Sequence, residues 1–272
     1  MPSGQGMHGH QTIITGGKAS SPFFRMLCRV LLRAAPTLAM GLALSLAPGF
    51  VPDAAKAAGT GMGMFNRPER PATLSDPWHA HIQPLWQRVL QAERTAPGFT
   101  AKAENFGPVD AGTWKNLVIY AKEVPEMEMF RTVNGYFNQW RPKNDADTWD
   151  TPEYWASPKE FIAKRGGDCE DYAIAKYFAL RFLGVRADRL RIVVVRARDE
   201  RGVPAANLHA VLAAKIGGNW FILDNNARPK DNIFPQAQYK GRFEPLYSLN
   251  ENSAWVHGEQ TGTPETSPET PR

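Results

Sequence analysis

Cys169, His209 and Asp224 are of the types, and in the chain order, that acyl transfer by a thiolate requires. One is a nucleophile, one a base to take its proton, and one an acid to orient the base. Cys169 lies in "GGDCEDYAIAKYF" (166–178), behind two glycines and among Asp168, Glu170 and Asp171. Buried cysteines often act as small hydrophobes, but these neighbours are not core composition. Of the histidines beyond residue 57, His79 and His81 fall on a helical pattern and His257 borders a polar tail, whereas His209 sits inside the strand-like run "NLHAVLAA". Asp224 ends the apolar run "WFIL", where an unpartnered carboxylate would be costly.

The elements around these residues are predicted to bring them together. From Cys169 to about Leu183 the sequence is apolar on every side except at Lys176 and Arg181, which predicts a central, buried helix. Its first turn offers free N–H groups and the positive dipole end to the thiol, and Gly166 and Gly167 are expected to admit a substrate backbone. Strands are predicted over 190–198, 208–216 and 219–225. If Gly217-Gly218 is a two-residue turn, Ile216 pairs with Asn219 and Asp224 faces Val211, diagonal to His209 on the same face. Upstream, 76–95, 111–124 and 129–140 have helical spacing, while the aromatic, Pro- and Asp-rich segment 140–158 reads as a long loop. Helices followed by an antiparallel sheet make an α+β fold.

The N-terminus reads as an export signal. Arg25, Arg29 and Arg33 precede the apolar run "LAMGLALSLA" (38–47), and Ala55-Lys56-Ala57 is a small-x-small cleavage site. The apolar run is too short to span a bilayer. Residues 1–57 are therefore assigned to a signal peptide, with Met26 an alternative start, and no membrane span is expected in the mature protein. The whole sequence has 32 Lys and Arg against 27 Asp and Glu. The signal holds five of the basic residues (Lys18, Arg25, Arg29, Arg33 and Lys56) and one acid (Asp53), which leaves 27 basic against 26 acidic. That near-neutral balance argues against a nucleic-acid partner. Cys28 leaves with the signal, and a single cysteine in an exported protein points to a reactive thiol or to intermolecular pairing. Residues 58–75 read as a flexible linker, 76–257 as one catalytic domain and 258–272 as a disordered Pro/Thr/Glu tail.

The stretches "GGDCEDYAIAKYFALRFLGV", "LHAVLA", "ILDN" and "PLYSLNENSAW" resemble the bacterial transglutaminase-like cysteine proteinases, over about 133–255. The resemblance implies a papain-like, transglutaminase-related fold in which Cys169 is the nucleophile, His209 the base and Asp224 the orienting acid. It implies a periplasmic enzyme that releases a large surface adhesin and so controls biofilm attachment, with an inner-membrane cyclic-di-GMP receptor as a partner. It also implies Ca²⁺ bound beside the cysteine by the flanking Asp168 and Glu170, with Asn134 in "TVNGYFN" as a further ligand; Asp171, two residues past the cysteine, is a third candidate oxygen ligand.

Charge supports the metal. Three carboxylates within two residues of a thiol oppose its ionisation, and a divalent cation removes the conflict. Ordinary helix capping accounts for Asp168 and one other acid, but not comfortably for all three. The Cys169 N–H is the expected oxyanion donor, with Trp155 a second contact. A transglutaminase-type acyl transferase and a non-catalytic peptide-binding module of the same fold would use the same residues.

Overall fold

The computed structural model describes residues 64–198, 204–239 and 241–258. The signal peptide over 1–57, Cys28 and all of the tail beyond Gly258 lie outside the described residues. Among those described, no helix is long and apolar enough to cross a membrane.

Among the described residues, six α-helices, α1 (Pro77–Thr95), α2 (Pro108–Ala121), α3 (Glu126–Asn138), α4 (Asp145–Trp149), α5 (Pro158–Lys164) and α6 (Cys169–Phe182), precede most of an antiparallel sheet. Its strands are β1 (Glu69–Pro71), β2 (Leu190–Arg198), β3 (Pro204–Ile216), β4 (Asn219–Leu223), β5 (Phe234–Pro235), β6 (Phe243–Leu249) and β7 (Ala254–His257), in the spatial order β1-β7-β6-β2-β3-β4-β5. This is the expected α+β class.

Helix α6 is central because its sequence leaves no polar face. Every residue from Glu170 to Leu180 is buried, Lys176 included. One side packs on the sheet through Ile192, Val194, Leu212 and Ala214, and others meet Phe137, Phe161 and Trp86 from α3, α5 and α1. The opposite face of the sheet carries a second core of Val193, Val195, Val211, Ala213 and Ile222 under Met64, Phe65 and Tyr239.

The Gly217-Gly218 turn behaves as its residues require. Their φ angles of 55° and 86° are the positive values that a type I′ turn demands at both central positions. Ile216 pairs with Asn219, and the ladder runs in that register to Leu212 opposite Leu223.

Two segments differ from expectation. Residues 64–75, expected within a flexible linker, are built into the fold: Met64 and Phe65 are buried, and β1 pairs with β7, Arg70 opposite Val256. A Gly- and Pro-rich segment carries too few apolar residues to announce this, and its order comes from the sheet edge it covers. The loop over 140–158 contains α4, capped by the Asn144 side chain accepting from the Asp147 N–H.

Candidate active site

Cys169 opens α6, with Asp168 in extended geometry before it. Beyond the last β3–β4 pair, the next N–H along that edge of β3 belongs to Ala210, and it donates to Cys169 Sγ at 3.3 Å. The thiol thus occupies the edge of β3 where β4 has ended. His209, the neighbour of Ala210, bonds through Nε2 to Asp224 Oδ1 at 2.9 Å. Asp224 lies one residue past the end of β4, so the hairpin register brings acid and imidazole together. Three further groups fix the acid: the Asn226 N–H on Oδ1 at 2.9 Å, the Tyr239 hydroxyl on Oδ2 at 3.3 Å and the Asn138 amide on the Asp224 carbonyl at 2.9 Å. Burial works to raise the Asp224 pKa, but His209, the Asn226 N–H and Lys176 outweigh it and hold it below the ordinary value. With Nε2 bonded to a carboxylate, Nδ1 is the ring nitrogen left to accept a proton.

Two of the other histidines, His79 and His257, are used elsewhere, and His81 is exposed on α1. His79 Nδ1 bonds the Tyr247 hydroxyl at 2.6 Å, and His257 is buried in β7 with Nε2 on Ser248 Oγ at 2.8 Å.

The acids around the thiol divide into two groups. One oxygen each from Asp145, Asp168 and Glu170 lies within 4.8 Å of the others. The Asp168 side chain makes no capping hydrogen bond, and Oδ1 of both Asp168 and Asp145 is buried with no hydrogen-bond donor among the described residues. Burial, and then the neighbouring carboxylates, push Asp168 up to about 6 and Glu170 well above its ordinary value. Asp171 is employed differently: its Oδ1 accepts from the Ala156 N–H at 2.7 Å. Asn134 donates its amide to the Lys230 and Asn232 carbonyls at 3.3 and 2.9 Å, pinning the loop beyond Asp224. The structure therefore gathers Asp168 and Glu170 with Asp145, and gives Asp171 and Asn134 hydrogen bonds to the backbone. Asp145 was missed because it stands in the segment read as a loop, with nothing in its spacing to link it to Cys169.

The glycines before the cysteine also have a different task from the one expected. A Cβ on Gly167 would collide with the Asp171 carboxylate, and one on Gly166, whose φ is +146°, would strike the Arg141 carbonyl. They let α6 dock its first turn. The Trp155 indole N–H, expected at an oxyanion, donates to Glu153 Oε1 at 3.1 Å.

Without a metal the thiol is poorly placed to ionise. Its proton is donated to Glu170 Oε2 at 3.2 Å. Burial raises the Cys169 pKa most, the Glu170 and Asp168 charges raise it further, and the Ala210 N–H opposes them without prevailing. An all-oxygen donor set with unpartnered buried oxygens suits a hard divalent cation of the calcium type.

The family of bacterial transglutaminase-like cysteine proteinases matches residues 113–262, which include Cys169, His209, Asp224 and the acids around the thiol. No curated protein matches the sequence. Among solved structures, calcium-bound LapG of Legionella pneumophila is 29% identical, covering 64% of this protein and 91% of that one with a TM-score of 0.46. The EGTA-treated form of LapG is 30% identical, covering 62% and 84% with a TM-score of 0.45. This protein belongs to the bacterial transglutaminase-like cysteine proteinases and is a cysteine peptidase.

Proposed function

We propose that the protein is an exported, calcium-dependent endopeptidase of the periplasm, acting through Cys169, His209 and Asp224. The observation that carries this is the placement of Sγ against the Ala210 N–H, next to a histidine whose far nitrogen is held by a buried aspartate.

His209 Nδ1 takes the thiol proton as Sγ attacks the scissile carbonyl carbon, and the carbonyl oxygen becomes an oxyanion facing the Cys169 N–H. Asp224 keeps the imidazole in the tautomer that accepts at Nδ1 and stabilises the imidazolium that forms. The intermediate collapses to a thioester as His209 returns the proton to the leaving amine. Water, deprotonated by the same nitrogen, then releases the acid and restores the thiol. Asp145, Asp168 and Glu170 would hold the calcium ion, which supplies positive charge that offsets the carboxylates beside the thiol.

By the family resemblance, the substrate is a large surface adhesin whose release ends biofilm attachment, and a cyclic-di-GMP receptor of the inner membrane is a partner. The test is to incubate the protein and its Cys169→Ala variant with envelope proteins of the source cells and to sequence the new termini. Termini made by the wild type alone are expected. The same termini from Cys169→Ala would overturn the assignment, and amine-linked products in place of free carboxylates would make the enzyme an acyl transferase.

A further inference from the structure

Strand β3 is far longer than its partner on one side. It runs for 13 residues, Pro204–Ile216, and β4 pairs only with Leu212 to Ile216. Strand β2 lines the other edge from Ala214 down to Leu208 and again at Pro204. Among the described residues, the stretch of β3 that passes the thiol therefore has a strand partner on one side alone.

The turn decides which backbone groups stand on the open edge. Across a two-residue turn Ile216 and Asn219 exchange both hydrogen bonds, so Ala214, Leu212, Ala210 and Leu208 direct N–H and C=O to the β4 side. Two contacts agree with this parity. The Ala210 N–H meets Sγ at 3.3 Å, and the Lys215 carbonyl, of the alternate set, accepts from the Arg189 side chain just before β2. Sγ thus stands where the carbonyl of a partner strand would stand. The next groups along the edge are the Leu208 C=O and N–H, one two-residue repeat away, about 7 Å. Among the described residues nothing bonds them, and Leu208 is 39% exposed.

An unpaired strand edge is a template for another strand. This one begins at the nucleophile, and the base, His209, stands between Ala210 and Leu208 in the chain. A peptide whose scissile carbonyl lies against Sγ reaches Leu208 within two residues.

We propose that the substrate is bound as an added strand on this edge of β3, its main chain hydrogen-bonded to the Leu208 N–H and C=O. The proposal deepens the proteolysis described above, on which it rests, by naming the substrate class. That class is an extended segment, unfolded where it is cut, with no proline at the residue whose N–H meets the Leu208 carbonyl.

The probe is a blocked dodecapeptide spanning a cut that the wild type, and not Cys169→Ala, makes in the envelope proteins. Its amide links are replaced by esters one at a time, each of which removes a single N–H and keeps the shape of the chain, and every peptide is titrated against Cys169→Ala. Affinity should fall about tenfold at the link within two residues of the cut whose N–H meets Leu208. The links on either side of it should change affinity less than twofold, because their N–H groups point away from β3. Leu208→Pro on the same background deletes the edge N–H without touching the β2 ladder, which that N–H does not serve. Kd for the unaltered peptide should rise about tenfold with an unchanged melting temperature, and if the variant loses stability the ester scan decides alone. A scan without alternation, or a stable Leu208→Pro variant with an unchanged Kd, overturns the added strand and leaves the peptidase standing. The absence of any cut specific to the wild type overturns the peptidase, and this binding mode with it.

Discussion

Cys169 and Glu170, adjacent in sequence, are also hydrogen-bonded to each other, with Sγ donating to Oε2 at 3.2 Å. A nucleophile whose proton rests on a neighbouring carboxylate, and whose charge that carboxylate repels, is held in its unreactive form. Glu170→Gln removes the charge while keeping the shape. The variant thiol should react with iodoacetamide faster than wild type when calcium is chelated, by about tenfold for each unit its pKa falls. Calcium should accelerate the wild-type reaction and leave the variant almost unmoved. A variant no more reactive than wild type in EGTA would show that burial alone holds the thiol down.

Asp224→Asn tests the orienting acid separately from the nucleophile. An amide facing Nε2 favours the wrong tautomer, so kcat should fall by roughly 10³- to 10⁴-fold with little change in KM. The Asp224 carbonyl still accepts from Asn138, so the fold should survive. A loss smaller than tenfold would remove Asp224 from the mechanism.

The geometry of this pair was legible in the sequence because a two-glycine turn sets the parity of a hairpin, and parity decides which residues share a face. Helix α6 was legible for a similar reason, since it has no face that could be solvated. What escaped depended on contacts between distant segments. Strand β6 contains Pro245, which cannot donate to a ladder and sits opposite Val195 at a bulge, so its run lacks a clean alternation. Asp145 reaches the thiol's acids only through tertiary packing, and its own neighbours, capped by Asn144, read as loop. Gly167 was read as admitting a substrate backbone, and the task it has, leaving room for the Asp171 carboxylate, exists only in three dimensions.

Lys176 should shape the pH dependence of stability. It is fully buried, Nζ has no hydrogen-bond partner among the described residues, and burial pushes its pKa down to about 7, opposed by Asp224. Above that value the folded protein holds a neutral amine, while the unfolded protein still binds the proton up to the ordinary lysine pKa. The unfolded state then binds more protons, so this contribution to stability rises as pH rises from about 7. Lys176→Met removes the penalty and should stabilise the protein by on the order of a few kcal/mol at neutral pH. Its advantage should shrink as melting is followed from about pH 7 to about pH 9. An advantage that stays constant over that range would mean that Lys176 is not neutral in the fold.

Asp145→Asn is the sharpest test of the metal, because Asp145 lies outside the cysteine's helix and its loss cannot be blamed on capping α6. Its Oδ2 accepts from the Tyr154 N–H at 2.5 Å, a bond an asparagine oxygen can keep, so the variant should fold. If Asp145, Asp168 and Glu170 share an ion, calcium binds the folded state alone and raises its stability by mass action. At a hundredfold excess over Kd this amounts to about 2.7 kcal/mol, or roughly 5–10 °C in Tm for a domain of this size. EGTA should abolish both the shift and the activity, and calcium should restore them. Magnesium should not, since its small octahedral shell is poorly served by three crowded carboxylates. In Asp145→Asn the calcium titration should move to higher concentration by an order of magnitude or more, as expected when a charged ligand becomes neutral. The same midpoint in wild type and variant would remove Asp145 from the site. Full wild-type activity in excess EGTA, with no calcium-dependent shift in Tm, would remove the metal.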